Sequence, residues 1–291
     1  MKARIRGTEI YFDVEGPGLV PTGSQLTPRP PLFLLHGGPG GDHSGFRSPA
    51  IQNLSEVAQL VYVDHRGSGR SAPADPATYT LEENIQDVDA LREYLGFEQI
   101  CVLGQSYGGM VAQGYAIAFP ERVSNLILVA TAPSYRFMDD AKRILRERGK
   151  PDQIRVCERL WNASFENMDQ LREYYQLMSP LYSVAADLDK FEDSWNRGIR
   201  SFEQLNLGFG SFLQAFDFTD DLDTIPCPTL VMAGAHDWIC PPNHSEEIAR
   251  RIPRAHLKIF ANSSHSIAAD EPAAFEAAVR GFLTYAPGAS A

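Results

Sequence analysis

The stretch that most restricts the fold of this chain is Gln99-Ile-Cys-Val-Leu-Gly-Gln-Ser-Tyr-Gly-Gly109. Ile100 to Leu103 form an apolar run that reads as a short buried strand, and Met110 to Phe119 read as a helix. Between them Gly104-Gln105-Ser106-Tyr107-Gly108 must turn the chain sharply from one to the other. That is the setting of a nucleophile elbow, where a serine takes strained backbone angles and its hydroxyl stands clear of the sheet. Glycines flank the serine because a side chain there would collide as strand and helix close together. The pentapeptide alone is weak evidence of function, so the weight falls on its setting and on partners elsewhere in the chain.

The rest of the chain supplies the setting. Residues 2–15 alternate and read as an antiparallel hairpin at a sheet edge. Gly16 to Pro31, rich in Pro, Gly, Ser and Thr, reads as an exposed loop. Pro31-Leu-Phe-Leu-Leu35 is a fully apolar strand, as in the buried middle of a parallel sheet, and it ends in His36-Gly-Gly-Pro-Gly-Gly41. A helix over 48–59 leads to a strand at Leu60–Val63, then to Asp64-His-Arg-Gly-Ser-Gly-Arg-Ser71. Thr80 to Leu95 has the pattern of a capped amphipathic helix, with Thr80 as N-cap and Glu83 three residues on. A strand over 125–130 follows the elbow. Strands alternating with helices give a mostly parallel, doubly wound sheet.

After Ala130 the alternation stops. Residues 134–220 hold no convincing buried strand but show helical stretches at 138–149, 152–162, 168–177 and 187–206, with many aromatics. The sheet resumes at Thr229–Gly234, and a helix at 245–251, a strand at 257–260 and a helix at 272–285 complete it. The expected organisation is an α/β core domain, residues 1–133 and 221–291, with a helical cap domain, residues 134–220, inserted between two strands. The tail 286–291 is expected to fray.

A serine at neutral pH is a poor nucleophile, so it needs a base within reach and a group that orients the base. In doubly wound hydrolases these follow in the order Ser, Asp or Glu, His. Asp237 lies three residues past the strand ending at Gly234, and His265 lies in a polar loop past the strand ending at Phe260. Both therefore fall at C-terminal strand ends, on the sheet edge that carries Ser106 and where such sheets place their sites. Asp217, Asp220, Asp221 and Asp223 compete with Asp237, but only Asp237 directly follows a strand. An oxyanion hole needs two backbone donors. Tyr107, which follows the serine, supplies one, and Gly38 in the glycine-rich turn is the choice for the other. His36 and the Asp64-His65-Arg66 run are expected to brace that turn, while His65, His236, His244 and His256 are expected to be solvated or structural.

Composition narrows the classes of partner. The net charge of −11 argues against nucleic acid and anionic membranes. The four cysteines, Cys101, Cys157, Cys227 and Cys240, show no Cys-x-x-Cys spacing, and the N-terminus has no apolar signal-peptide core. No apolar run approaches membrane-spanning length. A cytoplasmic protein with free thiols, no metal and no cofactor is expected, and oligomeric state is not legible.

The turn His36-Gly-Gly-Pro-Gly40, the run Asp64–Ser71 and the elbow Gly104–Gly109 together resemble the α/β-hydrolase superfamily. Within it the chain most resembles the proline iminopeptidase family, serine peptidases that release an N-terminal residue. The resemblance covers nearly the whole chain and is weakest in the cap. It implies Ser106, Asp237 and His265 as triad, with Gly38 and Tyr107 as oxyanion donors. Family members hold the substrate amine with acidic side chains, and some carry a Glu directly after the triad Asp, where this chain has Trp238. Glu203 in the cap is the candidate carboxylate, and Glu203 and Trp238 are the candidate substrate-binding residues. The resemblance implies a metal-free aminopeptidase acting on a small-molecule or short-peptide substrate through an acyl-enzyme. An esterase, amidase, lactonase or C–C bond hydrolase would use the same machinery without a free amine, and a non-catalytic ligand-binding protein on this scaffold is the remaining alternative.

Overall fold

The computed structural model describes residues 1–285. The tail 286–291, expected to fray, lies outside the described residues. The chain opens with an antiparallel pair, β1 (Lys2–Ile5) and β2 (Thr8–Glu15). Where the sequence predicts a loop there is a second, separate hairpin, β3 (Leu19–Thr22) and β4 (Gln25–Pro28). Its turn is made at Gly23, whose φ of 63° suits glycine. The two strands are largely exposed, so no alternation of apolar residues announces them.

Next come β5 (Pro31–Leu35), α1 (Pro49–Gln52), β6 (Gln59–Val63), α2 (Leu81–Tyr94), β7 (Ile100–Gln105), α3 (Tyr107–Ala118) and β8 (Val123–Val129). The helix predicted over 48–59 is only α1 followed by a 3-10 turn, Asn53–Glu56, that swings the chain into β6. Thr80 caps α2, its hydroxyl oxygen accepting from the Glu83 amide at 3.1 Å.

Beyond β8 lie α4 (Phe137–Arg148), α5 (Pro151–Trp161), α6 (Met168–Tyr182), α7 (Phe191–Arg197) and α8 (Phe202–Gly210), with no strand of the large sheet among them. Helix α6 runs past Pro180, a residue that costs an interior helix about 3 kcal/mol. Tyr182 at its end is held by a 2.7 Å hydrogen bond to the Tyr174 hydroxyl and by packing on Trp238. The predicted helix over 187–206 is broken at 198–201. There the amides of Ile199 and Ser201 donate to Asp42 (3.0 Å) and to the Gly40 carbonyl (2.8 Å) instead of to a helical turn.

The chain then closes with β9 (Thr229–Gly234), α9 (Pro242–Arg251), β10 (Ala255–Phe260), α10 (Ile267–Asp270) and α11 (Pro272–Tyr285). Eight strands form one sheet in the order β1-β2-β6-β5-β7-β8-β9-β10, antiparallel at the β1, β2 and β6 pairings and parallel from β6 to β10. The inner parallel strands β5, β7 and β8 are buried on both faces, whereas the edge strand β10 is largely exposed. Phe33, Leu35, Val102, Leu126 and Leu128 pack on one side with residues of α2, α3 and α9, while Leu32, Leu34, Leu103, Ile127 and Val129 pack on the other with α1 and α11. This explains why β5, β7 and β8 read as unbroken apolar runs. Burying each such Leu or Val contributes about 1.5–3 kcal/mol. No helix among the described residues is long and apolar enough to cross a membrane, and all four cysteines are free and buried.

Candidate active site

Ser106 sits at the β7–α3 junction with φ 56° and ψ −122°. Such angles cost a non-glycine residue about 1–3 kcal/mol and persist only where neighbours enforce them. Here the Ser106 amide donates to the Val129 carbonyl at 2.9 Å, and its carbonyl accepts from the Gly109 amide (2.9 Å) and the Thr131 hydroxyl (2.7 Å). The flanking glycines have a steric reason. A Cβ on Gly104 would lie 2.2 Å from the Gly108 carbonyl oxygen, and one on Gly108 would lie 1.9 Å from that of Leu35.

Asp237 follows β9 and is 1% exposed. Its Oδ1 accepts from the amides of Ile239 (2.9 Å) and Cys240 (3.0 Å), and its Oδ2 lies 2.8 Å from His265 Nδ1. A carboxylate oxygen accepts in such a pair, so Nδ1 is the donor and Nε2 is the ring nitrogen left for the substrate side. The loop bearing His265 is held by contacts from β9, α10 and α6. Gly234 packs so closely that a Cβ there would lie 2.0 Å from the Ser264 carbonyl oxygen. The Ser264 amide donates to Asp270 at 2.8 Å, and the Ser266 amide donates to the Tyr182 carbonyl at the end of α6 at 2.9 Å. The Tyr182 ring stands edge-on to the imidazole, 5.5 Å between centroids. Ser106 and His265 line the same cavity, of about 630 Å³. They make no direct hydrogen bond with each other, a contact that in unliganded sites often tightens only around substrate.

The turn after β5 closes the cavity beside Ser106, with Gly37 and Gly38 in its wall. Nδ1 of His36 donates to the Gly37 carbonyl at 2.8 Å and Nε2 accepts from the His65 amide at 3.2 Å, which fixes a neutral ring. Nε2 of His65 donates in return to the His36 carbonyl at 3.2 Å. Burial lowers the pKa of both imidazoles, and His65 lies well below the usual histidine range. Burial alone would push the Asp64 carboxyl up. Its hydrogen bonds from His43 (2.7 Å) and from the Arg70 amide (2.8 Å) outweigh that and hold it below the usual range. Arg66 is engaged by Asp87 at 2.6 and 2.8 Å. The amides of Gly38 and Tyr107 donate to no group among the described residues, and that of Tyr107 opens α3, where the helix dipole favours negative charge.

Residues 30–272 match the family model described as alpha/beta hydrolase fold. The chain belongs to the alpha/beta hydrolase fold family. It is 34% identical over 270 residues to the proline iminopeptidase PfmaB of Pestalotiopsis fici, covering 90% of this chain and 92% of the relative. It is 28% identical to a proline iminopeptidase of Levilactobacillus brevis, over 96% and 94% of the two chains. Among solved structures, the proline iminopeptidase of Mycobacterium smegmatis superposes with a TM-score of 0.77 over 98% of this chain and 97% of that one, at 23% identity, a likeness of fold.

In this alpha/beta hydrolase the two substrate-side expectations need correction, because neither Glu203 nor Trp238 lines the cavity. Glu203 lies on the exposed side of the first turn of α8, where its carboxylate accepts from the Ser201 hydroxyl at 2.8 Å. Trp238 is fully buried, since the loop folds back to cap Asp237 and turns the next side chain inward, edge-on to Trp161 and Tyr182. The cavity wall is instead largely aromatic and apolar, with Phe137, Tyr174, Tyr175, Tyr182, Trp195 and Phe209. Asp42, Asp187, Lys190, Arg197 and Arg200 also line it. None of these five stood out in the sequence: Asp42 follows the glycine turn without a pattern, and the rest fall in or beside a stretch that reads as one continuous helix.

Proposed function

We propose that this alpha/beta hydrolase is a serine hydrolase working through an acyl-enzyme. The observation that carries the proposal is the Asp237–His265 hydrogen bond at the wall of the cavity that Ser106 also lines. Ser106 Oγ attacks the substrate carbonyl while His265 Nε2 takes its proton, and Asp237 holds the imidazole in the tautomer that can do so and stabilises the imidazolium. The carbonyl oxygen, now negative, is received by the amides of Gly38 and Tyr107. As the tetrahedral intermediate collapses, His265 returns the proton to the leaving group and the ester to Ser106 remains. Water then attacks this ester by the same route, its proton passing through His265 to Ser106.

The relatives' names support an aminopeptidase that releases an N-terminal residue, proline first. A specific observation favours a second reading, an esterase, amidase or lactonase that needs no free amine. A substrate ammonium would want an unengaged carboxylate, yet Asp42 is paired with Arg70 at 2.9 Å and Asp187 with Lys190 at 2.8 Å. The test is hydrolysis of proline 4-nitroanilide, its N-acetyl derivative and a short-chain 4-nitrophenyl ester. Cleavage of the free prolyl anilide but not of its N-acetyl form supports the aminopeptidase. Ester cleavage without prolyl activity supports the second reading, and cleavage of none of the three contradicts both.

A further inference from the structure

The charges around the cavity run against those of the whole protein. The chain carries a net −11, yet the charged side chains lining the cavity are two carboxylates and three cations. The two carboxylates are engaged, Asp42 by Arg70 and Asp187 by Lys190. Arg197 and Arg200 have no carboxylate partner among the described residues. What the cavity leaves unneutralised is therefore positive.

Arg200 is also held in place relative to the reacting end. The residues on either side of it are tied to the turn that contains Gly38: the Ile199 amide donates to Asp42 at 3.0 Å and the Ser201 amide to the Gly40 carbonyl at 2.8 Å. Its guanidinium lies over the Trp195 ring, 4.6 Å from the centroid, and 5.6 Å from that of Tyr175. Cation–π contacts of this kind hold the guanidinium against the two rings. Nη1 donates to the carbonyls of Trp195 (2.7 Å) and Gly198 (3.2 Å), and Nη2 makes only a 3.5 Å contact with the Ser194 carbonyl. Nε has no partner among the described residues. The Nε–Nη2 edge, the one that grips a carboxylate through two parallel hydrogen bonds, is thus left available.

We infer that Arg200, assisted by Arg197, is a specificity-determining residue that binds a carboxylate of the substrate while Ser106 attacks its carbonyl. The inference rests on the serine-hydrolase reading for the reacting end. Two kinds of substrate present such a carboxylate. In a free dipeptide it is the C-terminus, on the leaving side of the scissile bond. In a half-ester of a dicarboxylic acid it lies on the acyl side.

Two matched pairs separate these sources: Pro-Ala against Pro-Ala amide, and 4-nitrophenyl hydrogen glutarate against 4-nitrophenyl butyrate. For each pair the readout is the ratio of kcat/KM between the carboxylate-bearing and the neutral member. At least one ratio is expected to favour the carboxylate and to fall roughly 10- to 100-fold in Arg200→Gln, with Arg200→Lys between the two. The pair that responds identifies the side. A purely structural role for Arg200, as a cap on the end of α7, would slow both members together and leave the ratios unchanged. Calorimetric titration with glutarate and with glutaramide addresses the site without turnover. Glutarate is expected to bind the parent more tightly than glutaramide does, and to lose that margin in Arg200→Gln. Loss of all turnover with this binding intact would count against the hydrolase reading alone. Ratios near one for both pairs, together with equal binding of glutarate and glutaramide, would overturn the carboxylate site.

Discussion

Oδ2 of Asp237 lies 2.8 Å from Nδ1 of His265, and the other oxygen, Oδ1, is occupied by the amides of Ile239 and Cys240. The carboxylate is thus fixed by its own loop before it meets the imidazole, and it dictates which ring nitrogen carries the proton. Asp237→Asn keeps the shape but can present an NH₂ donor to Nδ1, which favours the wrong tautomer. The expected result is a fall in kcat on the order of 10⁴-fold, with KM for an aryl ester little changed. Circular dichroism of the variant should match that of the parent. A loss of only a few-fold would remove Asp237 from the role given to it.

The elbow makes a steric prediction about stability. Gly108→Ala would put a Cβ 1.9 Å from the Leu35 carbonyl oxygen, backbone that cannot move aside without shifting β5. A destabilisation of about 3 kcal/mol is expected in urea unfolding. Gly281→Ala is the control, because that glycine lies in α11 with nothing within 4 Å of the added carbon. There the gain in helix propensity should stabilise the protein by up to about 1 kcal/mol. Equal effects at the two sites would contradict the close approach at the elbow.

Stability should also fall on mild acidification. Burial lowers the pKa of His36, His65 and His244, so the folded protein keeps these rings neutral where the unfolded chain takes up protons, below about pH 6.5. Stability from these groups is complete above that pH and is lost as pH falls below it. The limit is about 1.4 kcal/mol per pH unit for each ring. Urea unfolding at pH 7.5 and 5.5 measures the loss, which His65→Gln should reduce.

The parts of the fold that were legible are those with local causes. β5, β7 and β8 are buried on both faces, so their sequences are unbroken apolar runs, and Thr80 caps α2 through a bond to a residue three positions on. Asp237 and His265 were legible from chain order because each follows a strand on the same sheet edge, and the structure joins them. What was hidden depends on partners distant in sequence. The 198–201 break in the predicted helix exists because Asp42 and Gly40 take the amides of Ile199 and Ser201. Helix α6 continues past Pro180 to Tyr182, whose ring packs on Trp238, a residue more than fifty positions away. The β3–β4 hairpin is exposed, so no apolar pattern marks it. The same cause misled the reading of Glu203 and Trp238, since which side chain faces a cavity under inserted helices depends on how those helices seat.

The most direct test of the central claim, that Ser106 is the nucleophile, is intact-protein mass spectrometry after exposure to an alkyl fluorophosphonate. Ser106 Oγ would attack phosphorus, fluoride would leave, and the serine proton would pass to His265. One phosphonyl adduct per chain is predicted, mapping to the peptide that contains Ser106 and absent from Ser106→Ala. Failure of the parent to react, or an undiminished adduct in Ser106→Ala, would contradict the mechanism.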